Sequence, residues 1–147
     1  MAREISLIIE GEPASKANSR QNVHINGVSR SIKSRKALSY TKMFRAQLPK
    51  MEPLTAPCIA HIRIWYASRR PDLDESLILD LLQVDPKKYK DDKGAILNDR
   101  QIRQKHVYWG LDPNRPRTEI RLVEEPDLDR SPQKRTHKPR ATLSDGI

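Results

Sequence analysis

The run Cys58-Ile59-Ala60-His61-Ile62-Arg63-Ile64-Trp65-Tyr66 organises this chain, together with the two segments that follow it. These are Arg69-Arg70-Pro71-Asp72-Leu73-Asp74-Glu75 and then Leu77-Ile78-Leu79-Asp80-Leu81-Leu82. Cys58, Ala60, Ile62, Ile64 and Tyr66 alternate with Ile59, His61, Arg63 and Trp65, the period-two pattern of a strand with one apolar face. Leu77, Ile78, Leu81 and Leu82 fall at the i, i+1, i+4, i+5 spacing of a helix packed on a sheet, expected over Asp74–Gln83. The acidic junction then lies between a strand C-terminus and a helix N-terminus, a common place for α/β sites.

Asp72 and Asp74 stand two residues apart. In extended backbone, residues i and i+2 project from the same face, so both carboxylates can point at one spot. A divalent cation on oxygen ligands would offset their repulsion, and Mg²⁺ takes one or two carboxylates plus substrate phosphates. Helix capping competes with this reading. Asp72 as N-cap with Glu75 at N3 is a variant of the capping box, and Asp74 suits the positive end of a helix dipole. Capping accounts for one Asp and the Glu but gives the second Asp no task.

Length and composition narrow the classes. The 147 residues are expected to form one domain. A hydrophobic share of 36% and a mean hydropathy of -0.77 leave a modest core, with part of the chain expected outside it. Lys+Arg of 28 against Asp+Glu of 19 gives a net charge of +9, which suits a nucleic-acid partner. No apolar run is long enough to span a bilayer, and the first residues lack a signal-peptide pattern, so no membrane partner and a cytoplasmic location are expected. Cys58 has no second cysteine to pair with, and no Cys/His set has zinc spacing. It is expected as a buried strand residue in a reducing compartment.

Towards the N-terminus, Ile5-Ser6-Leu7-Ile8-Ile9 reads as a strand closed by Gly11-Glu12-Pro13. Its apolar residues do not alternate cleanly, so both faces are candidates for burial. From Pro13 to Lys50 there is no Asp or Glu, while Lys16, Arg20, Arg30, Lys33, Arg35, Lys36, Lys42, Arg45 and Lys50 all lie there. Those nine charges equal the excess of the whole protein. The plain reading is a solvated face; the functional one, preferred here, is a nucleic-acid path. Lys16, Arg20, Lys33, Arg35 and Lys36, joined by Arg69 and Arg70, are the expected phosphate contacts. Pro13 to Arg20 has loop composition, and Val23 to Ser29 reads as a hairpin turning at Asn26-Gly27. Ser34 is placed to cap a helix running to Leu48 before Pro49, with Ala37, Thr41, Phe44 and Leu48 on its inner face. Arg35, Lys42 and Arg45 lie off that stripe and are expected to face outward.

Towards the C-terminus, residues 84–95 read as a charged, self-compensating loop with its own Asp91-Asp92 pair. Arg103 to Trp109 and Arg117 to Val123 alternate as strands around Asp112-Pro113-Asn114-Arg115-Pro116, which predicts a β-hairpin. Residues 126–147 are polar, basic and proline-bearing, and are expected to be a disordered tail outside a folded domain of residues 1–125.

The order of these features resembles the RusA-type Holliday-junction resolvases. It is carried by Pro13-Ala14-Ser15-Lys16, by Pro71-Asp72-Leu73-Asp74-Glu75 with its apolar helix, by Ile96-Leu97-Asn98-Asp99-Arg100-Gln101-Ile102, and by the closing Pro116-Arg117-Thr118-Glu119-Ile120 strand. The resemblance covers roughly residues 4–124. It implies an α+β fold, a small mixed β-sheet with about two helices packed on it. It also implies a homodimeric phage or prophage endonuclease that uses Mg²⁺, or Mn²⁺ as substitute, to cut four-way or otherwise branched DNA in recombination and repair. The family's paired acids fall on Asp72 and Asp74 and its third on Asp99, as catalytic residues and metal ligands; Asn98 stands where the family has the first of two aspartates. The chemistry implied is metal-assisted phosphodiester hydrolysis.

Two departures stand out. Glu75 takes the family's Asn place, and Ser76-Leu77-Ile78-Leu79 lacks the helix lysine, for which Lys16 and Lys33 are the candidate replacements. The longer loop at 85–95 also allows Asp92 as a rival third ligand; Asp99 is preferred because Gln101-Ile102 and a strand follow it. The competing function is a non-catalytic basic DNA- or RNA-binding protein in which the acids cap helices. A flap or fork nuclease would share the site and differ in substrate shape.

Overall fold

The computed structural model describes residues 3–15 and 20–130. Four strands form a mixed sheet: β1 (Glu4–Glu10), β4 (Cys58–Tyr66), β5 (Ile102–Leu111) and β6 (Arg117–Glu124), in the order β1-β6-β4-β5. Strands β2 (Arg20–Ile25) and β3 (Val28–Lys33) form a separate two-stranded hairpin. The helices are α1 (Arg35–Gln47), α2 (Ser76–Leu81) and the one-turn α3 (Pro86–Tyr89). The fold is thus a small mixed α/β domain, with one helix more than the sequence pattern shows.

Strand β4 is central, flanked by β6 on one side and β5 on the other. Its alternation fixes the layers. Cys58, Ala60, Ile62, Ile64 and Tyr66 are buried under the helices, while Ile59, His61, Arg63 and Trp65 on the opposite face are half-buried. Ile9, Ile120 and Leu122 from the neighbouring strands join the covered face, and Phe44, Leu48, Ile78, Leu81 and Leu82 come down from α1 and α2. Full burial of each such side chain contributes roughly 1.5–3 kcal/mol, so this layer supplies most of the driving force. Cys58 is free and buried, and burial pushes its thiol up to about 11, so it is inert packing. The uncovered face corrects the expectation that both sides of β1 were candidates for burial: Ile8 lies open to solvent at 54% exposure.

The expected β5–β6 hairpin does not form. Both strands exist, but β4 lies between them, antiparallel to β6 and parallel to β5. Residues 112–116 step over the end of β4, with Asp112 N–H donating to the Tyr66 carbonyl at 2.8 Å. Alternation in sequence reports which face a residue is on, not which strand lies alongside.

The hairpin and the first helix form where their patterns place them. Asn26 (φ 53°) and Gly27 (φ 78°) make the left-handed turn of the β2–β3 hairpin. The Ser34 hydroxyl accepts the Ala37 N–H at 3.1 Å and starts α1, which buries Ala37, Tyr40 and Phe44. Helix α2 is shorter than expected, because Leu82 already turns into the following loop.

Residues 85–95 are the largest departure, for they are docked rather than solvated. Arg45, expected to face outward, is 6% exposed and anchors them. Its Nε donates to Asp91 Oδ2 at 3.1 Å and its Nη2 pairs with Asp91 Oδ1. Nη1 donates to the carbonyls of Leu81 and Gln83, and Nη2 also donates to that of Lys93. The Tyr89 ring covers the guanidinium at 4.2 Å. Gly94 seals the end of the loop: a Cβ there would stand 2.6 Å from the Val84 backbone nitrogen. At the other end of the chain, residues 126–129 form a 3-10 turn in which the Asp129 carboxylate accepts Arg103 Nε–H at 2.6 Å, so the first part of the expected tail packs; residues 131–147 lie outside the described residues.

Candidate active site

The acidic junction is held by β4 and β5. Tyr66, the last residue of β4, donates its hydroxyl to the Asp72 carbonyl at 3.0 Å and accepts the Asp74 N–H at 3.3 Å. Burial raises the Tyr66 hydroxyl above its ordinary pKa, with the neighbouring carboxylates adding to the shift, so it stays a neutral donor at this bend. Trp109 on β5 donates its indole N–H to the Pro71 carbonyl at 3.3 Å. The chain is thereby fixed on both sides just where the two aspartates emerge.

Asp72 caps nothing. Its side chain is exposed and has no hydrogen-bond or ion-pair partner among the described residues. The capping role falls to Asp74, whose Oδ1 accepts the Ser76 N–H at 3.0 Å and the Ser76 hydroxyl. Glu75, in the N-cap position of α2, makes no side-chain cap bond and pairs instead with Lys105 of β5. The helix-start reading therefore explains Asp74 and leaves Asp72 unassigned, the reverse of the capping box the spacing allows.

Asp99 stands in the 3-10 turn that leads into β5. It lies three residues before Ile102, where β5 begins, while Pro71 is tied to Trp109 near the end of that strand. Glu75, beside Asp74, meets Lys105 between those two points. Asp99 shares a shallow hollow with Leu79 and with that same Lys105. Carboxylates are the hard oxygen donors that Mg²⁺ takes. Among the described residues, however, no three His, Cys, Asp or Glu side chains come together to hold a metal ion. The donor chemistry of Asp72, Asp74 and Asp99 suits Mg²⁺.

The rival Asp92 stands beside a committed neighbour. The Arg45 guanidinium beside Asp91 holds that carboxyl below the usual range and commits it to structure, while Asp92 is exposed. Gln101, one of the residues carrying the resemblance, is a latch. Its Oε1 accepts the N–H groups of Leu97 and Asn98, and its Nε2 donates to the carbonyls of Leu54 and Ala56. Asn98 Oδ1 accepts Arg100 N–H at 2.8 Å and completes a capping box with Gln101.

Of the expected phosphate contacts, Arg20, Arg35, Lys36, Arg69 and Arg70 are exposed and Lys33 is half-buried; Lys16 lies outside the described residues. Arg20 Nη2 donates to the Ser31 carbonyl at 2.7 Å, bracing the hairpin. Burial lowers the Lys33 pKa, with Lys88 and Arg20 acting in the same direction and Asp80 opposing. Lys88, which the sequence reading left in a solvated loop, pairs with Asp80 at 2.9 Å beside this group. The arm starts next to the acidic junction: Glu12 Oε1 accepts the Ala67 N–H at 2.7 Å, and Lys36 Nζ lies 4.0 Å from Glu12 Oε2.

Compared with known proteins, the chain matches no family model and no curated protein.

Proposed function

We propose that this protein binds branched DNA along its acid-free arm and hydrolyses a phosphodiester next to the Asp72–Asp74 junction, as a structure-specific endonuclease acting with Mg²⁺ or Mn²⁺. One observation carries the reading: the loop holding Asp72 and Asp74 is bonded at Ala67 to Glu12, where the acid-free arm begins. A duplex lying on the arm therefore has the pair of carboxylates beside its backbone. Cations of the arm contribute affinity through phosphate contacts; the exposed Asp72 has no structural task among the described residues.

A second reading, a DNA- or RNA-binding protein without catalysis, is favoured by Asp74 serving to hold the start of α2. Cleavage of a synthetic four-way junction in Mg²⁺ or Mn²⁺ decides between them. Asp72→Asn and Asp74→Asn are expected to lower the single-turnover rate by at least ~100-fold, a charge-stabilising group's usual worth, with binding retained or tighter. Asp99→Asn is expected to match them, as the third acid of the resemblance. Binding by the parent without cutting under either ion would leave only the second reading.

A further inference from the structure

The β2–β3 hairpin stands apart from the main sheet, and its two faces differ. In its register Ile25 pairs with Val28, Val23 with Arg30 and Gln21 with Ile32; these residues share one face. His24, Ser29, Asn22, Ser31, Arg20 and Lys33 form the other. The first face carries an aliphatic stripe that nothing covers among the described residues: Ile25 is 49%, Val28 54% and Ile32 40% exposed. The most open pair flanks the Asn26-Gly27 turn at the tip. Solvation alone gives no reason to place β-branched aliphatics at the end of a protruding ribbon.

The surrounding charge selects the occupant. No Asp or Glu occurs between residues 13 and 50, and Arg20, Arg30 and Lys33 flank the stripe. An apolar tip on a cationic stalk matches a polyanion with apolar stacked interiors. Proteins that bend nucleic acid insert aliphatic side chains between base steps, and unstacking costs a few kcal/mol per step. That cost is least where bases are already unpaired or strained, as at the crossing of a branched duplex.

We infer that the hairpin tip is a DNA wedge, in which Ile25 and Val28 enter the opened base steps of a branch point while Arg20, Arg30 and Lys33 hold the flanking phosphates. The inference rests on the DNA-binding part of the proposed function and is independent of cleavage.

The test uses the full-length protein and a four-way junction carrying 2-aminopurine at the crossing. The parent should raise 2-aminopurine fluorescence on binding. An Ile25→Thr/Val28→Thr variant keeps β-branched residues, so the hairpin is retained. It should lose most of the fluorescence rise and about tenfold of the preference for junction over duplex, with the salt dependence unchanged. Arg30→Gln should do the opposite, lowering the salt slope by about 0.9 while sparing the rise at saturation. An undiminished rise in the Thr variant, or no rise with the parent, overturns the wedge. So does conversion of a dimeric parent into a monomer by the Thr substitutions, seen by light scattering, for the stripe would then be covered by a second copy. A rise without any cutting supports the wedge and removes only the nuclease reading.

Discussion

Arg45 lies in the stretch of the chain that carries only cations, yet it faces inward and binds two carboxylate oxygens and three carbonyls. Removing it strands those groups in a poorly hydrated place. Arg45→Met is therefore expected to destabilise the fold by about 3 kcal/mol, the usual cost of breaking one partner of a buried pair, and denaturant unfolding measures it. The same pair makes a pH prediction. Asp91 is held below its ordinary pKa of 3.8, first by the Arg45 hydrogen bonds. The unfolded state then takes up its proton first, so the stabilisation is complete above pH ~4 and is lost as pH falls through the lowered folded pKa. Acid unfolding of Arg45→Met should lack that part of the slope, and an identical slope in parent and variant would count against the pair. At the acidic junction, Asp72 and Asp74 look equivalent in sequence but not in structure. Asp74 holds the start of α2, so Asp74→Asn should keep the bond to Ser76 through its amide oxygen, while Asp74→Ala loses it and lowers stability by about 1 kcal/mol. Asp72→Ala should leave the melting temperature unchanged.

Among the elements, the turn before β5 repays attention because its sequence signature reads as chemistry and its structure reads as a clamp. Gln101 bonds four backbone groups and ties this turn to the chain entering β4 at Leu54 and Ala56. Gln101→Leu is expected to cost about 2–3 kcal/mol, since the Leu54 and Ala56 carbonyls would lose a donor in a half-buried setting. If that variant melts with the parent, water replaces the amide and the turn is not a clamp. Strand β4 behaves differently, for its inward residues pack on both helices and both neighbouring strands. Ile62→Ala should cost about 3 kcal/mol by leaving a cavity under α1 and α2. Helix α1 depends on its Ser34 cap and its apolar stripe, both of which local sequence carries. Helix α2, only six residues long, is stable only because Ile78, Leu79 and Leu81 are buried against the sheet.

At the scale of the whole molecule, the charge is divided between a nearly balanced sheet and a cationic arm. Salt should therefore weaken DNA binding steeply, and most of that slope should disappear when Arg20, Lys33, Arg35 and Lys36 are neutralised together; each lost duplex phosphate contact removes about 0.9 from it. Removing residues 131–147 should leave the melting temperature unchanged, because the Arg103–Asp129 pair that fastens the C-terminal turn is kept. The sequence by itself determined the strand at Cys58–Tyr66 with its buried face, the hairpin turn and the cap of α1. These depend on periodicity of two or 3.6 and on backbone preferences of Ser, Asn and Gly, all of which act over a few residues. Only the tertiary structure decided that β4 separates β5 from β6, that Arg45 turns inward to dock residues 85–95, and that Asp74 rather than Asp72 holds the start of α2. Strand order, the partner of a charged group and the meeting of distant carboxylates are set by contacts between residues far apart in the chain. Local pattern specifies which side of an element is apolar, but packing alone decides what that side meets.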